Sequence, residues 1–188
     1  TIRLVAMTDK GCKSETSKNI DIYSKPIASF EVLNTCAGDQ TRFVNKSLSA
    51  GSYNWQFGDG DNSGNSNPSH QYAAAGSYNV TLTANNAQCS DAVTKSVVVN
   101  ALPSSDFTFG TSGKDVLYTS GNKTNVTSYG WNFGDGSTGT NADPKHTYNN
   151  AVVTVYNVCL TVVDNQGCQS ETCKPVSINL LGKEEITM

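Results

Sequence analysis

Charged side chains are scarce in this sequence, and neither sign dominates. They make up 15% of the 188 residues and sum to a net charge of -3 at pH 7. A protein that holds nucleic acid or an anionic membrane by charge needs a basic field, which this composition does not supply. Long apolar runs are missing as well, so no segment is predicted to insert in a bilayer. We therefore expect no nucleic acid partner and no direct membrane insertion.

Leucine and glutamate are also few, whereas Asn, Ser, Thr and Gly are abundant. This composition disfavours helices and suits short strands joined by polar turns. The sequence begins without Met and without a charged segment followed by an apolar one, the pattern of an export signal. We expect an all-β segment of a longer exported protein, with almost no helix.

One motif occurs twice. Residues 53–60 read Tyr-Asn-Trp-Gln-Phe-Gly-Asp-Gly, and residues 129–136 read Tyr-Gly-Trp-Asn-Phe-Gly-Asp-Gly. In both copies the three rings alternate with polar or small residues, which places them on one face of a strand before a tight turn. A strand that buries three rings on one side needs a second sheet to cover them. The motif therefore predicts two β-sandwiches of the same kind.

The spacing of the motif divides the chain into repeats. Its two tryptophans are 76 residues apart, and the prolines that follow them keep the same separation, which indicates a duplication. Domains are predicted at residues 27–100 and 104–179, with a tail at residues 180–188.

Residues 1–24 resemble the last part of a repeat. Residues 11–18 align with residues 167–174, and most positions are identical. We predict that residues 1–24 are the C-terminal hairpin of a truncated preceding repeat.

Alternation and turn residues predict six strands in the first repeat. They cover residues 28–33, 41–45, 52–57, 70–72, 77–84 and 92–100. In the second repeat the connection at residues 149–154 is expected to be two residues longer than its counterpart and to form a different turn, because it lacks the Gly found there.

Further residues complete a pattern around the repeated motif. Each copy continues with Pro-x-His-x-Tyr, at residues 68–72 and 144–148, and with Tyr-x-Val-x-Leu, at residues 78–82 and 156–160. This pattern resembles the PKD (polycystic kidney disease) domain family. The resemblance implies tandem immunoglobulin-like β-sandwiches of extracellular proteins, found in surface adhesins or as accessory modules of secreted hydrolases. The cysteine-containing elements also resemble the repeats of large bacterial cell-surface adhesins, including the gliding-motility type.

The tryptophans and histidines of the motif each have two interpretations. A sugar-stacking role is conceivable for Trp55 and Trp131, but their alternation with other rings favours the core. A catalytic role for His70 and His146 would need a nucleophile and an oriented base at a fixed offset, which neither repeat provides. We expect hydrogen-bonded structural histidines and no catalytic residues.

The aspartates of the motif, Asp59 and Asp135, also have two interpretations. A carboxylate in a Gly-rich loop suits calcium, but it also shapes a turn by accepting backbone N–H groups. The family resemblance implies that some members bind calcium through an Asp-rich loop before the Trp strand. The corresponding residues 45–51 and 121–127 contain no carboxylate. The turn-forming role is favoured, and no metal or cofactor is expected.

The six cysteines lack the spacing of a metal site and predict disulfides in an oxidising, extracellular setting. Cys159 and Cys173 align with Thr81 and Thr94 of the first repeat. Both cysteines of the pair are absent together from the other copies, and they face each other across the last hairpin. We predict a cross-strand disulfide between them.

Cys36 has two candidate partners. The alignment places Cys12, Cys89 and Cys168 at the tip of the last hairpin of each copy, whereas Cys36 lies between the first two strands. In an immunoglobulin-like sandwich these places are at opposite ends, so a bond from Cys36 to Cys89 would have to exceed the ~7 Å limit between Cα atoms. Repeats stacked end to end would instead join Cys36 to Cys168. This is the favoured hypothesis, and the intradomain bond is the alternative.

These features favour a non-catalytic structural function. We expect a segment of a repetitive secreted surface protein that acts as a rigid spacer or adhesin stalk, because short Pro-containing linkers make stiff connections. Its partners would be neighbouring repeats and, through exposed loops such as residues 61–67 and 137–142, surface polysaccharide or another protein. The alternative is a carbohydrate- or protein-binding accessory module of a secreted hydrolase, which predicts an exposed aromatic row. An intrinsic enzyme is the weakest interpretation, for want of a nucleophile, base and oxyanion site.

Overall fold

The structure is a computed structural model that describes residues 1–149 and 154–178. Within these ranges the chain forms sixteen strands and no helix, so the predicted all-β class is confirmed. In the described part of the chain, no helix is long and apolar enough to cross a membrane. The predicted tail at residues 180–188 and the centre of the predicted longer turn, residues 150–153, lie outside the described residues.

The chain begins with an antiparallel hairpin of β1 (Ile2–Met7) and β2 (Lys13–Lys18). The strands pair in register from Ile2 opposite Lys18 to Met7 opposite Lys13. Every residue of both strands is exposed. A hairpin that buries so little apolar surface is only marginally stable alone.

The first repeat contains seven strands in two sheets. They are β3 (Phe30–Leu33), β4 (Gln40–Asn45), β5 (Ser52–Gln56), β6 (Asn62–Ser63), β7 (Ser69–Gln71), β8 (Gly76–Asn85) and β9 (Ser90–Val99). One sheet has the order β3-β4-β7, and the other has the order β6-β5-β8-β9. The chain thus passes between the sheets three times, as in an immunoglobulin-like sandwich.

The second repeat has the same topology. Its strands are β10 (Phe107–Ser112), β11 (Asp115–Ser120), β12 (Val126–Asn132), β13 (Thr138–Gly139), β14 (Lys145–Thr147), β15 (Thr154–Asp164) and β16 (Gln169–Ile178). The sheet orders are β10-β11-β14 and β13-β12-β15-β16. Matching sheet orders in the two repeats fit the duplication inferred from the motif.

The core of each repeat lies between its two sheets. In the first repeat the rings of Phe30 and Phe43 meet Trp55 of the opposite sheet at centroid distances of 5.2 and 5.5 Å. In the second, Phe107 meets Trp131 edge to face at 5.0 Å. Alternating side chains of β11 and β15 complete the second core. Burial of these large side chains is the main stabilising contribution of each sandwich.

The six strands predicted in the first repeat are present, with ends that differ by at most two residues. The alternation pattern does not predict β6 or β13, because a two-residue strand has no period to recognise. These short strands lie inside segments 61–67 and 137–142, which the sequence predicts to be loops. They pair with the Trp strands β5 and β12 and extend the four-stranded sheets.

Contacts between Cα atoms divide the chain into two compact units whose limits differ from those of the repeats. The first unit comprises Thr1–Leu33, Arg42–His70 and Tyr78–Val97. The second begins at Val98 and also includes Asn34–Thr41 and Gln71–Ser77. Two segments of the first repeat therefore group with the second.

Candidate functional site

Each tryptophan of the repeated motif is a core residue. Trp55 and Trp131 are at most 1% exposed. Their indole Nε1 atoms donate hydrogen bonds of 2.9 Å to the backbone carbonyls of Asn65 and Asn141. A sugar-stacking platform needs an accessible ring face, and neither indole offers one. The buried indole instead fixes the segment ten residues further along the chain.

The Gly-Asp-Gly turns require glycine at their first position. Gly58 has a φ of +89° and Gly134 a φ of +80°, in the left-handed region that favours glycine. A Cβ at either position would stand 2.8 Å from a backbone carbonyl oxygen, that of Asn79 or Asn157. The turn therefore packs directly on the backbone of the adjacent strand and directs the aspartate that follows.

Asp59 and Asp135 join these turns to the histidines. His70 Nε2 lies 2.6 Å from Asp59 Oδ2, and His146 Nε2 lies 2.8 Å from Asp135 Oδ2. Each imidazole also stacks on the phenylalanine of its own motif, with ring centroids 4.2 Å apart. Carboxylate, imidazole and ring thus connect the Trp strand of one sheet to the short third strand of the other.

Hydrogen bonds hold these carboxylates in the charged form. Burial raises the pKa of Asp59, but the bonds from His70 and from the backbone N–H of Asp61 outweigh it and leave the pKa below its ordinary value. The pKa of Asp135 is also lowered. Burial raises it, but hydrogen bonds from Ser137 and His146 lower it by more. A charged acceptor strengthens the hydrogen bonds that close each turn.

In the second repeat, Ser137 lies beside the Asp–His pair, and the three residue types are those of a hydrolytic triad. Ser137 Oγ lies 3.3 Å from His146 Nε2, the same nitrogen that contacts Asp135. A triad needs the carboxylate on one ring nitrogen and the nucleophile on the other. Ser137 also donates a hydrogen bond of 2.5 Å to Asp135 Oδ1. The geometry closes a turn and does not provide a proton relay.

In the first repeat, the structure brings together Asp59, Asp61 and His70. One ligand atom from each lies within 4.8 Å of the others, and oxygen and imidazole ligands are common at metal sites. However, His70 is already bonded to Asp59, and the second repeat has Ser137 in place of Asp61. Asp61 was not predicted as a candidate ligand from the sequence, although two carboxylates flank a glycine at residues 59–61.

Cys159 and Cys173 form a disulfide inside the last hairpin of the second repeat. They are opposite each other on β15 and β16, with Cα atoms 4.0 Å apart. In the first repeat, Thr81 and Thr94 occupy the aligned positions, and their Oγ1 atoms lie 2.8 Å apart. The two sulfurs are bonded to each other, so they cannot also act with Glu171 as thiolate ligands of a metal.

Cys36 and Cys168 form the other disulfide, with Cα atoms 5.6 Å apart. Cys36 is 7% exposed and Cys168 is fully buried. Cys12 and Cys89 are free thiols, so the alternative bond from Cys36 to Cys89 is not formed in the structure.

Backbone hydrogen bonds tie the loop of Cys36 to the end of the first repeat. The N–H of Ala37 donates to the carbonyl of Asn100 at 2.9 Å, and the N–H of Asn100 donates to the carbonyl of Thr35 at 2.7 Å. Asn100 directly precedes the linker. The disulfide is therefore attached to the point at which the chain leaves the first repeat.

Two lysines that were not predicted as functional residues support the cores. Lys95 Nζ lies 4.9 Å from the ring centroid of Phe30, and Lys174 Nζ lies 5.0 Å from that of Phe107. Each ammonium also donates a hydrogen bond to the carbonyl of the same phenylalanine. The signal for this cation–π contact was the Lys found at the aligned position in all copies, including Lys18.

The sequence profile of the PKD domain family matches the chain twice, at residues 23–101 and 103–179. These matches span most of the chain, and the chain belongs to the PKD domain family. PKD domains are generally non-catalytic modules, found in surface or secreted proteins and as accessory modules of proteases.

Several solved structures are similar to this chain. The PKD1 domain of Vibrio anguillarum Epp is 26% identical with a TM-score of 0.39, over 42% of this chain and 95% of that chain. The PKD1 domain of the Vibrio cholerae metalloprotease PrtV is 28% identical with a TM-score of 0.36, over 39% and 93%. The fibronectin(III)-like modules of Clostridium thermocellum CbhA are 13% identical with a TM-score of 0.44, over 82% and 94%. The family assignment rests on the profile and the motifs.

Proposed function

We propose that the chain is a non-catalytic segment of a repetitive secreted cell-surface protein, in which PKD repeats act as a rigid extracellular spacer or adhesin stalk. The observation that carries this proposal is the disulfide between Cys36 of the first repeat and Cys168 of the second. Adhesins of the gliding-motility type are the class whose repeats these cysteine elements resemble.

This disulfide encloses most of both repeats. Cys36 and Cys168 are 132 residues apart, and the enclosed segment contains both Trp strands and the linker. Force applied to the ends of the chain would pass through the disulfide and leave the enclosed segment unloaded. A loop of this length also removes entropy from the unfolded chain, a contribution of about 5 kcal/mol. A spacer that must keep its length under load benefits from both effects.

The proposed partners are neighbouring repeats of the same polypeptide. Surface polysaccharide or another protein would contact the polar segments 61–67 and 137–142. These segments contain small side chains and none of the Trp, Tyr or Arg anchors that usually dominate binding energy. The spacer role therefore has more support than direct adhesion.

The alternative, a carbohydrate- or protein-binding accessory module of a secreted hydrolase, has less support. Such a module needs a row of exposed rings on one sheet. Among the described residues, the exposed aromatic side chains are Tyr23 and Phe109. Tyr23 lies in the segment after β2 and Phe109 lies in β10, so they form no row.

Single-molecule stretching from the two ends of the chain tests the spacer proposal. With the disulfide intact, the segment between Cys36 and Cys168, which are 132 positions apart, cannot extend. The double variant Cys36→Ser/Cys168→Ser should release roughly 400 Å of additional contour length, at about 3.4 Å per residue, because the Cys159–Cys173 disulfide still bypasses the residues between its two cysteines.

The matched control is Cys159→Thr/Cys173→Thr. Cys159 lies inside the enclosed segment and Cys173 lies beyond its end. While Cys36–Cys168 is intact, the stretched chain runs directly from Cys168 to Cys173, so removal of this disulfide should leave the extension unchanged. Equal extension with and without the Cys36–Cys168 disulfide would contradict the proposal.

A further inference from the structure

We propose that Cys89 is a second covalent docking point, which forms a disulfide with a cysteine between the first two strands of a preceding PKD repeat. This inference rests on the proposed function, in which disulfides link successive repeats. It assigns a partner to a thiol that is free in the structure.

Cys89 and Cys168 occupy the same place in their repeats. In each hairpin tip, the first residue of the turn, Asn86 or Asp164, donates its backbone N–H to the cysteine carbonyl at 3.0 Å. The side chain of that residue accepts the cysteine N–H, at 2.8 Å for Cys89 and 2.9 Å for Cys168. Cys168 is bonded to Cys36 of the repeat before it. The bond at the equivalent position identifies the kind of partner that Cys89 would take.

The two linkers are equivalent in length. Pro26 follows Cys12 by 14 residues, and Pro103 follows Cys89 by 14 residues. A repeat that ends in the hairpin of Cys12 is therefore connected to the first repeat as the first is connected to the second. A cysteine in the first loop of that repeat would reach Cys89 in the same way that Cys36 reaches Cys168.

The incoming linker is held beside the hairpin tip that carries Cys89. Asn86 Nδ2 donates to the carbonyl of Ser24 at 2.8 Å. Lys25 Nζ lies 2.6 Å from Asp91 Oδ1. These contacts keep the entry point of the chain next to the site of the proposed bond.

The β1–β2 hairpin presents an apolar face that no sheet of the described residues covers. Ile2 and Leu4 are 61% and 65% exposed. They align with Val158 and Leu160, which are fully buried in the second repeat. The occupant that fits this face is the remainder of a PKD repeat, and the first loop of that repeat would carry the partner cysteine.

The bond forms by oxidation of two thiols. The two Sγ atoms join, and two protons and two electrons are lost. A small-molecule disulfide accepts the electrons: its S–S bond breaks, and it leaves as two thiols after exchange through a mixed disulfide.

Duplication of one repeat in the full chain tests the inference. A copy of residues 27–103 that carries Cys89→Ser, inserted directly before residue 27, places a second first-loop cysteine ahead of the single remaining Cys89. The chain is refolded with reduced and oxidised glutathione, alkylated, and mapped by mass spectrometry without reduction. The added copy's Cys36 should be bonded to Cys89, and alkylation of Cys89 should fall from nearly complete in the original chain to nearly none.

Cys36→Ser in the added copy alone is the control, and it should restore alkylation of Cys89. The original Cys36–Cys168 bond serves as the internal measure of correct folding. Alkylated Cys89 in a chain that forms Cys36–Cys168 overturns this inference and leaves the proposed function intact, as does a bond from Cys89 to Cys12 or to a second molecule. Absence of both interrepeat bonds contradicts the proposed function as well.

Discussion

The two repeats share one scaffold and differ in their covalent chemistry. Both bury a tryptophan bonded to a carbonyl ten residues later, and both stack a histidine on a phenylalanine. In the last hairpin the first repeat has the hydroxyl pair Thr81–Thr94, where the second has the disulfide Cys159–Cys173. Between the first two strands only the first repeat has a cysteine, Cys36. Cysteines can thus be exchanged at set positions while the buried tryptophan and the stacked histidine and phenylalanine are kept.

The two cores also differ in one buried aromatic ring. The N–H groups of Phe43 and Tyr118 donate to equivalent proline carbonyls, so the two rings correspond. In the second repeat the Tyr118 hydroxyl lies 2.8 Å from that of Tyr148, which donates to the carbonyl of Phe133. Burial is the main cause that raises the pKa of both tyrosines. The second core tolerates the buried hydroxyl of Tyr118 because the hydroxyl of Tyr148 lies within hydrogen-bond distance.

The largest effect is expected from removal of a tryptophan. Trp131→Ala should destabilise the second repeat by about 3–5 kcal/mol, because it removes a buried ring and leaves a cavity. Trp55→Ala should do the same to the first. The chain has two tryptophans, so in each variant denaturant unfolding followed by the remaining indole fluorescence reports the other repeat. If the free energy of unfolding, followed by circular dichroism, fell by less than about 1 kcal/mol, the core role would be contradicted.

A slightly smaller effect is expected at the glycine that both repeats need. Gly58→Ala should cost about 3 kcal/mol, because it combines a left-handed φ with a backbone clash at 2.8 Å. Gly134→Ala should behave alike. Gly60→Ala is the matched control: its φ is +109°, but nothing lies within 4 Å of the added Cβ, so about 1 kcal/mol is expected. Equal unfolding free energies for Gly58→Ala and Gly60→Ala would show that the close approach is unimportant.

Exchange of the hairpin pairs tests whether the two repeats are interchangeable at this position. Cys159→Thr/Cys173→Thr should cost about 2 kcal/mol: a loop of this size contributes about 3 kcal/mol, and the hydroxyl pair returns about 1 kcal/mol. The reverse variant, Thr81→Cys/Thr94→Cys, should form a disulfide and stabilise the first repeat. Thermal unfolding of each variant and of the original chain, with and without reductant, measures both effects. If the reverse variant loses no more stability to reductant than the original chain does, the equivalence is refuted.

The smallest effect is expected from the turn carboxylates. The pKa of Asp135 in the folded protein lies below its unfolded value of about 3.9. Its contribution to stability is therefore complete above about pH 4 and is lost as the pH falls through the folded pKa. Asp135→Asn should cost about 1 kcal/mol at neutral pH and should make the acid dependence of unfolding shallower. An unchanged acid profile would mean that the carboxylate is not linked to folding. Asp59→Asn provides the same measurement in the first repeat.

Much of the fold could be predicted from the sequence because the signal is periodic. The alternation around Trp55 reports which side chains point inward, and the constant spacing of the two motifs reports the duplication. The Cys159–Cys173 pair follows from the same regularity, since alignment of hairpins places the two residues opposite each other. Positions within one strand or one hairpin depend on local geometry, which a sequence expresses directly.

Other features were decided by tertiary structure alone. The sequence favoured Cys168 over Cys89 as the partner of Cys36 but left both open, because the pairing depends on how the sheets bring together loops that are far apart in the sequence, and such loops have no period. The structure forms the favoured bond. For the same reason the sequence suggested turn-forming aspartates and structural histidines separately, while only the fold pairs Asp59 with His70. The residue pattern alone indicates which side chains build each sandwich. Which loops meet depends on how complete sheets pack and close, and this is visible only in the folded chain.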